Sequence, residues 1–282
     1  MSNKSITIKE HYIPQFYLRN FSNDNKRVFQ YQIHSNLQSK QVSIDSICYE
    51  KNLYEFRNNG GEIVHKNLIE DCFAIFESEI SKVLKSIESK SSIEDNFLTP
   101  CFLTTREKGL LIFFLATLIL RNPDVLNAAQ ETAKEFWGDN INDNISYNIS
   151  LEYCLPIYKN IDPQERNILN SALKLFENMT FQIVNSSKDC FFTSDNPVII
   201  FSKNGFKEVD EVFFPLSPRN LLYMRSYKLT KMELRNRMVY VDNKQMKSLN
   251  SLIISYCKRW LFSKRELTPH QIRRIEIIRK EQ

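Results

Sequence analysis

The chain has 282 residues, 42% of them hydrophobic and 20 of them Phe, enough for a real core in one large domain or two small ones. Only 5 Gly are present. Neither G-x-G-x-x-G nor G-x-x-x-x-G-K-[ST] occurs, which excludes the glycine-rich phosphate loops of nucleotide-binding folds. The net charge of +5 is unevenly spread: residues 1–218 hold 22 Lys+Arg against 28 Asp+Glu, and residues 219–282 hold 16 against 5, so the parts carry −6 and +11.

Near the N-terminus stands His11-Tyr12-Ile13-Pro14-Gln15-Phe16-Tyr17-Leu18-Arg19-Asn20-Phe21. Pro14 can open a helix that carries Tyr17, Leu18 and Phe21 on one side. Such an aromatic opening is expected to be tied into a core, which would hold His11 in a fixed place. Arg27–Ile33 and Gln41–Ser46 alternate as half-buried strands. Asn52–Phe56 and Glu62–Val64 flank Asn58-Asn59-Gly60-Gly61, a hairpin signal.

Helices follow. Ile69, Cys72, Phe73, Phe76, Ile80, Val83, Leu84 and Ile87 keep helical spacing. The box Thr104-Thr105-Arg106-Glu107 opens a second helix. Its run Leu110–Leu120, broken only by Thr117, is too short for a bilayer and reads as a buried core helix. Asn122-Pro123 stops it and starts the next, which Gly138 ends. Asp162-Pro163-Gln164-Glu165 opens another. Then the pattern turns strand-like at Phe181–Val184, Cys190–Thr193, Val198–Phe201, Val212–Phe214 and Leu221–Met224. Helices return at Gln245–Tyr256 and after Thr268-Pro269. The expected fold is α+β: a helical middle bracketed by a small N-terminal β-element and a C-terminal antiparallel sheet with helices. We read one domain, with sub-divisions at 1–64, 65–178 and a β-rich basic part at 179–282.

The six cysteines, at 48, 72, 101, 154, 190 and 257, form no C-x-x-C pair, and none has a His at zinc-ligand spacing. Free thiols in a reducing cytoplasm are expected. Residues 1–10 lack the apolar stretch of a leader, which points to the same compartment.

Several side chains could carry chemistry. His11 has the intrinsic range of a general acid or base, against a purely structural role at the Pro14 helix. Arg121 ends an apolar run, so its charge must reach solvent, a carboxylate or an anionic ligand such as phosphate. Asp195 and Asn196 project from a strand-end turn, where the competing reading is an Asx-turn before Pro197. Glu70 and Glu77 lie two turns apart along one helix and read as solvated edge carboxylates, unless Glu77 faces His11 or Asp195. A magnesium site of Asp195 and a helical Glu stays open, because hard cations need only oxygen ligands. Ser217 lies between prolines but in no nucleophile elbow. In the basic part, Arg235, Arg237, Lys258, Arg259, Arg273 and Arg274 are candidate contacts to RNA or DNA. The competing reading is charge balance against the acidic first part.

The His11–Phe21 stretch resembles the opening signature, H-Y-x-P-x-x-x-L-x-x-F, of the bacterial family of unknown function numbered 4238. Arg121-Asn122-Pro123, Thr193-Ser194-Asp195-Asn196-Pro197-Val198, Pro215-Leu216-Ser217-Pro218 and Leu249-Asn250 resemble later segments of that family. The resemblance implies positions rather than a reaction, and a setting among mobile or defence-related genes. Three functions are expected to compete. The first is RNase- or nuclease-like phosphodiester cleavage in stress or phage defence, with His11 as acid/base and Arg121 on phosphate charge. The second is a non-catalytic module binding nucleic acid or protein, and the third is a small-molecule hydrolase. The convergence of His11, Arg121 and Asp195 in one pocket would favour an enzyme.

Overall fold

The computed structural model describes residues 7–35, 37–91, 98–100, 103–138, 141–156, 168–203 and 208–281. In chain order the first elements are β1 (Lys9–His11), α1 (Gln15–Arg19), β2 (Arg27–Gln32), β3 (Lys40–Ser43), β4 (Tyr49–Lys51), β5 (Phe56–Arg57) and β6 (Ile63–His65). The helical stretch holds α2 (Leu68–Ser91), the short β7 (Leu98–Pro100), α3 (Thr105–Leu120), α4 (Pro123–Trp137), α5 (Asp143–Cys154) and α6 (Ile168–Leu175). The last part holds β8 (Met179–Asn185), β9 (Thr193–Ser194), β10 (Ile199–Phe201), β11 (Glu211–Pro215), β12 (Asn220–Ser226) and β13 (Arg237–Tyr240). It closes with α7 (Asn243–Tyr256), β14 (Trp260–Ser263) and α8 (Pro269–Lys280). The fold is α+β as expected. The Asp162–Glu165 helix start lies outside the described residues.

The chain divides into two compact units, each assembled from separated segments. The first comprises residues 1–13, 48–80 and 106–177, and the second residues 14–47, 81–105 and 178–282. The division falls inside α2, whose first half belongs to the first unit.

In the first unit, β1 pairs antiparallel with β4 and β5 with β6. The β5–β6 turn uses Gly61 at φ 85°, a left-handed conformation that glycine adopts without a Cβ clash. Helix α3 buries Leu111, Phe114, Leu115, Leu118 and Leu120. An all-round apolar helix must be enclosed, and the stripe of α2 meets it, Phe76 packing on Phe113 at 4.3 Å between ring centroids. Asn122 caps α4, its side chain accepting from the Asp124 N–H at 3.0 Å with Pro123 at the first helical position. Gly138 ends that helix at φ 60°. Helix α5, whose polar sequence carries no clear apolar stripe, packs on α4.

The second unit holds two larger sheets, ordered β10-β11-β12-β8-β13-β7 and β3-β2-β14-β9. The first is antiparallel except for the parallel β13–β8 pair. In the second, the N-terminal hairpin β2–β3 is completed by β14 from near the C-terminus, with Leu261 opposite Tyr31. The N-terminal strands pair with one another as β1–β4, β2–β3 and β5–β6, and β14 extends the β2–β3 pair. The unit's core gathers Tyr31, Phe191, Leu221, Ile253, Leu261 and Ile275, all buried. Local boundaries differ from expectation where single residues decide. Cys190–Phe192 is irregular because its Cys190 and Phe191 N–H groups turn to the Pro218 carbonyl, leaving only Thr193–Ser194 in the sheet.

Candidate functional site

Helix α1 is short, and Pro14 stands at its N-cap. Phe21 lies just beyond it rather than on it, and is fully buried with Tyr17 and Leu18. The Tyr17 hydroxyl meets the Thr193 hydroxyl at 2.6 Å and lies 2.7 Å from the Pro215 carbonyl. Asn20 Nδ2 donates to the Leu216 carbonyl at 3.1 Å. Buried Asn250 donates to the Cys190 carbonyl at 2.8 Å and accepts from the Phe192 N–H at 3.2 Å. The opening, Thr193, Pro215 and Asn250 segments thus serve one another as scaffold within the second unit.

Asp195 has the same character. Its carboxylate accepts from the backbone N–H groups of Lys258, Arg259 and Trp260 at 2.9 to 3.3 Å, and from the Cys257 thiol at 3.7 Å. It is 7% exposed. Burial pushes its carboxyl up, against the pull of those donors. The group pins the turn that leads into β14 and has its acceptor positions filled, which leaves little for a metal or a substrate. Asn196 donates to the Tyr256 carbonyl at 3.2 Å. Ser217 Oγ donates to Glu88 at 2.6 Å and accepts backbone N–H groups of its own turn.

The titratable cluster lies in the first unit, around Arg121, which is 1% exposed. Its Nε donates to the Tyr12 carbonyl and its Nη1 to Glu77 Oε1, both at 2.9 Å. The guanidinium also sits 4.7 Å from the Phe73 ring centroid. Nη2 is buried and has no hydrogen-bond partner among the described residues. Strand alternation turns Glu10 of β1 inward, where it is fully buried and accepts from the Tyr54 N–H at 2.7 Å. Its other oxygen, Oε1, is buried and has no hydrogen-bond partner among the described residues. Glu55, also buried, accepts from the Asn67 N–H. Burial, with help from Glu70 and Glu55, pushes Glu10 up to about 8. Burial also raises Glu70 to about 7, although Arg121 pulls it the other way.

His11 and Arg121 fall in one unit, Asp195 and Asn196 in the other. His11 lies on the opposite face of β1 from Glu10, its ring 5.6 Å from Tyr49. Of the expected residues the structure brings Arg121 and Glu77 into contact. Glu70 is a correction: it is half-buried rather than solvated, and that burial raises its carboxyl. Glu10, Glu55 and Tyr54 were not anticipated. The one signal for Glu10 is its place in a β-alternation three residues long, beside the His11 motif. Arg121 Nη2 is a buried donor without a partner among the described residues, and burial raises the Glu70 and Glu10 carboxyls toward neutral pH. Among the described residues no three His, Cys, Asp or Glu side chains are arranged to hold a metal ion. No single described helix is long and apolar enough to cross a membrane.

Of the basic candidates, Arg235, Arg237 and Arg274 are half-buried. Lys258, Arg259 and Arg273 face solvent. Arg235 stacks 3.5 Å over the Tyr227 ring centroid and donates to the Tyr227 and Thr230 carbonyls. Arg237 donates to the Glu233 carbonyl, and Arg274 to the Lys247 carbonyl and Ser251. Ion pairs of the segment run to Asp189, Glu208 and Glu211, close by in sequence.

A family model for a protein of unknown function, DUF4238, matches residues 9–266. No curated protein and no solved structure matches the chain. The aligned span takes in the opening motif, Arg121, the Asp195 turn, Ser217 and Asn250, so the chain belongs to the DUF4238 family.

Proposed function

We propose that this protein binds nucleic acid through the segment 219–282. One observation carries the reading: Arg235, Arg237, Arg259, Arg273 and Arg274 meet carbonyls, hydroxyls, a ring or solvent rather than a carboxylate among the described contacts. Among the described residues, the ion pairs of segment cations run to Asp189, Glu208 and Glu211. The excess positive charge is therefore available to a polyanion. The setting in stress or phage defence belongs to the same proposal. Binding titrations with labelled RNA and DNA test it. Affinity should fall linearly in log–log form as salt rises, through counterion release. Reversing Lys258, Arg259 and Arg273 to Glu together should abolish it. No binding at micromolar protein in low salt would overturn the reading.

Phosphodiester cleavage is the second reading. It is favoured by the buried, unpartnered Nη2 of Arg121 near Glu70, a charge-stabilising donor by a carboxyl that burial raises to about 7. Incubation of labelled RNA and DNA with the protein and with its Glu70→Gln variant tests it. Cleavage lost in a variant that still folds would support the reading. Strands left intact, with and without magnesium, would leave the binding module.

A further inference from the structure

We infer that the cavity beside Asp189 in the second unit seats the phosphate-bearing end of a nucleic-acid strand, an inference that rests on the nucleic-acid reading above. The cavity holds about 220 Å³ and is lined by Cys190, Phe191, Phe192, Pro218, the Ser263–Thr268 segment and Gln271. Phe191, Phe192 and Leu267 are buried and give it apolar walls. Its charge comes from one side. Asp189, 8% exposed at its side chain, is shared by Arg219 and Lys264 at 2.9 Å and by Arg265 at 3.6 Å. Glu266 also stands at the lining. Lys264 and Arg265 balance Asp189 and Glu266 at the lining, Arg219 on Asp189 adds one positive charge beside it, and the start of the twelve-residue α8 adds about half a charge more.

Size then selects the ligand. At about 30 Å³ per water the space equals roughly seven waters. It is smaller than the about 300 Å³ where pockets for drug-sized ligands begin. A phosphate with its sugar or base fits, and a strand running through does not. A terminal phosphate monoester also carries about −1.5 to −2, more than an internal diester, and so gains most from the excess positive charge. Arg265 is the mobile clamp. Its side chain is 73% exposed and its contact to Asp189 is long, so turning to a phosphate sacrifices little.

The test uses the full chain and short single strands of one sequence, carrying a 5′-phosphate, a 3′-phosphate or hydroxyls at both ends. Anisotropy titrations should show one phosphorylated strand binding about tenfold tighter than the hydroxyl strand. Arg265→Ala should narrow that gap, and the exposure of Arg265 keeps the fold out of the question. A second readout needs no strand: a nucleoside monophosphate should slow iodoacetamide labelling of Cys190, read by peptide mass spectrometry. Equal affinity for all three strands, with unchanged Cys190 labelling, overturns the cavity inference while the hydroxyl strand still reports on the basic segment. Protection of Cys190 without binding of any strand overturns both the strand-end inference and the broader reading, because the cavity then takes a free nucleotide only.

Discussion

Arg121 Nη1 and Glu77 Oε1 meet at 2.9 Å, with the arginine side chain 2% and the glutamate side chain 27% exposed. The run of apolar residues before Arg121 drives its helix inward, so the charge arrives buried and depends on what α2 offers. Removing one partner of such a pair leaves an uncompensated charge, which costs about 3 kcal/mol or more. Glu77→Gln should therefore lower stability by that order in urea unfolding. Combining it with Arg121→Met should recover part of the loss, because no charge is then stranded. An unchanged urea midpoint for Glu77→Gln would mean that solvent already screens the pair.

The segments that carry the family resemblance are mostly joints. Tyr17 links three of them through Thr193 and Pro215, and both contacts are buried. Tyr17→Phe keeps the ring, including its stacking on Phe214 at 5.1 Å, and removes only the hydroxyl. It leaves Thr193 and the Pro215 carbonyl short of a partner, so a loss of about 1 to 3 kcal/mol is expected. Thermal unfolding of the purified variant measures it.

Helix periodicity made α2 and α3 legible, and caps at Asn122 and Thr268 marked their helices, because these signals act within a few residues. Long-range pairing was not legible. Nothing local to Arg27–Gln32 says that Trp260–Ser263 will lie beside it, since the partner is chosen by the assembled core. Helix α5 escaped notice because its polar residues hide the period. The Arg121–Glu77 contact was open to anticipation, since a buried arginine needs a carboxylate. Glu10 and Glu55 were not, because burial of an acid is set by neighbours distant in sequence and contradicts its usual exposure.

Asp195 looked like a functional group on a turn and is engaged with the backbone of β14 instead. Asp195→Asn keeps size but loses charge, and an amide cannot accept at both ends. Charge-assisted hydrogen bonds contribute about 1.5–3 kcal/mol each, so a loss of about 2 kcal/mol is a fair expectation after relaxation. At temperatures where the variant is folded, its affinity for nucleic acid should match that of the parent. A folded variant with lost affinity would return Asp195 to the candidate site.

The buried acids set a pH dependence of stability. Glu10 and Glu70 are raised from 4.5 to about 8 and about 7, so between those limits the folded chain holds protons that the unfolded chain has released. Unfolding then releases protons, and stability falls as pH rises. The contribution is full below about pH 4.5 and is lost by about pH 8. Tyr54, raised well above its ordinary 10.0, stays neutral across this window and does not contribute. Lowered carboxyls such as Asp189 act in the opposite sense, but only at more acid pH. Urea midpoints should therefore drop between about pH 6 and about pH 9, by on the order of 3 kcal/mol in unfolding free energy. Glu10→Gln replaces the protonated acid by a neutral isostere and should flatten that slope. A parent whose stability is level across this range would mean that water reaches Glu10 and Glu70 and that burial does not hold their protons.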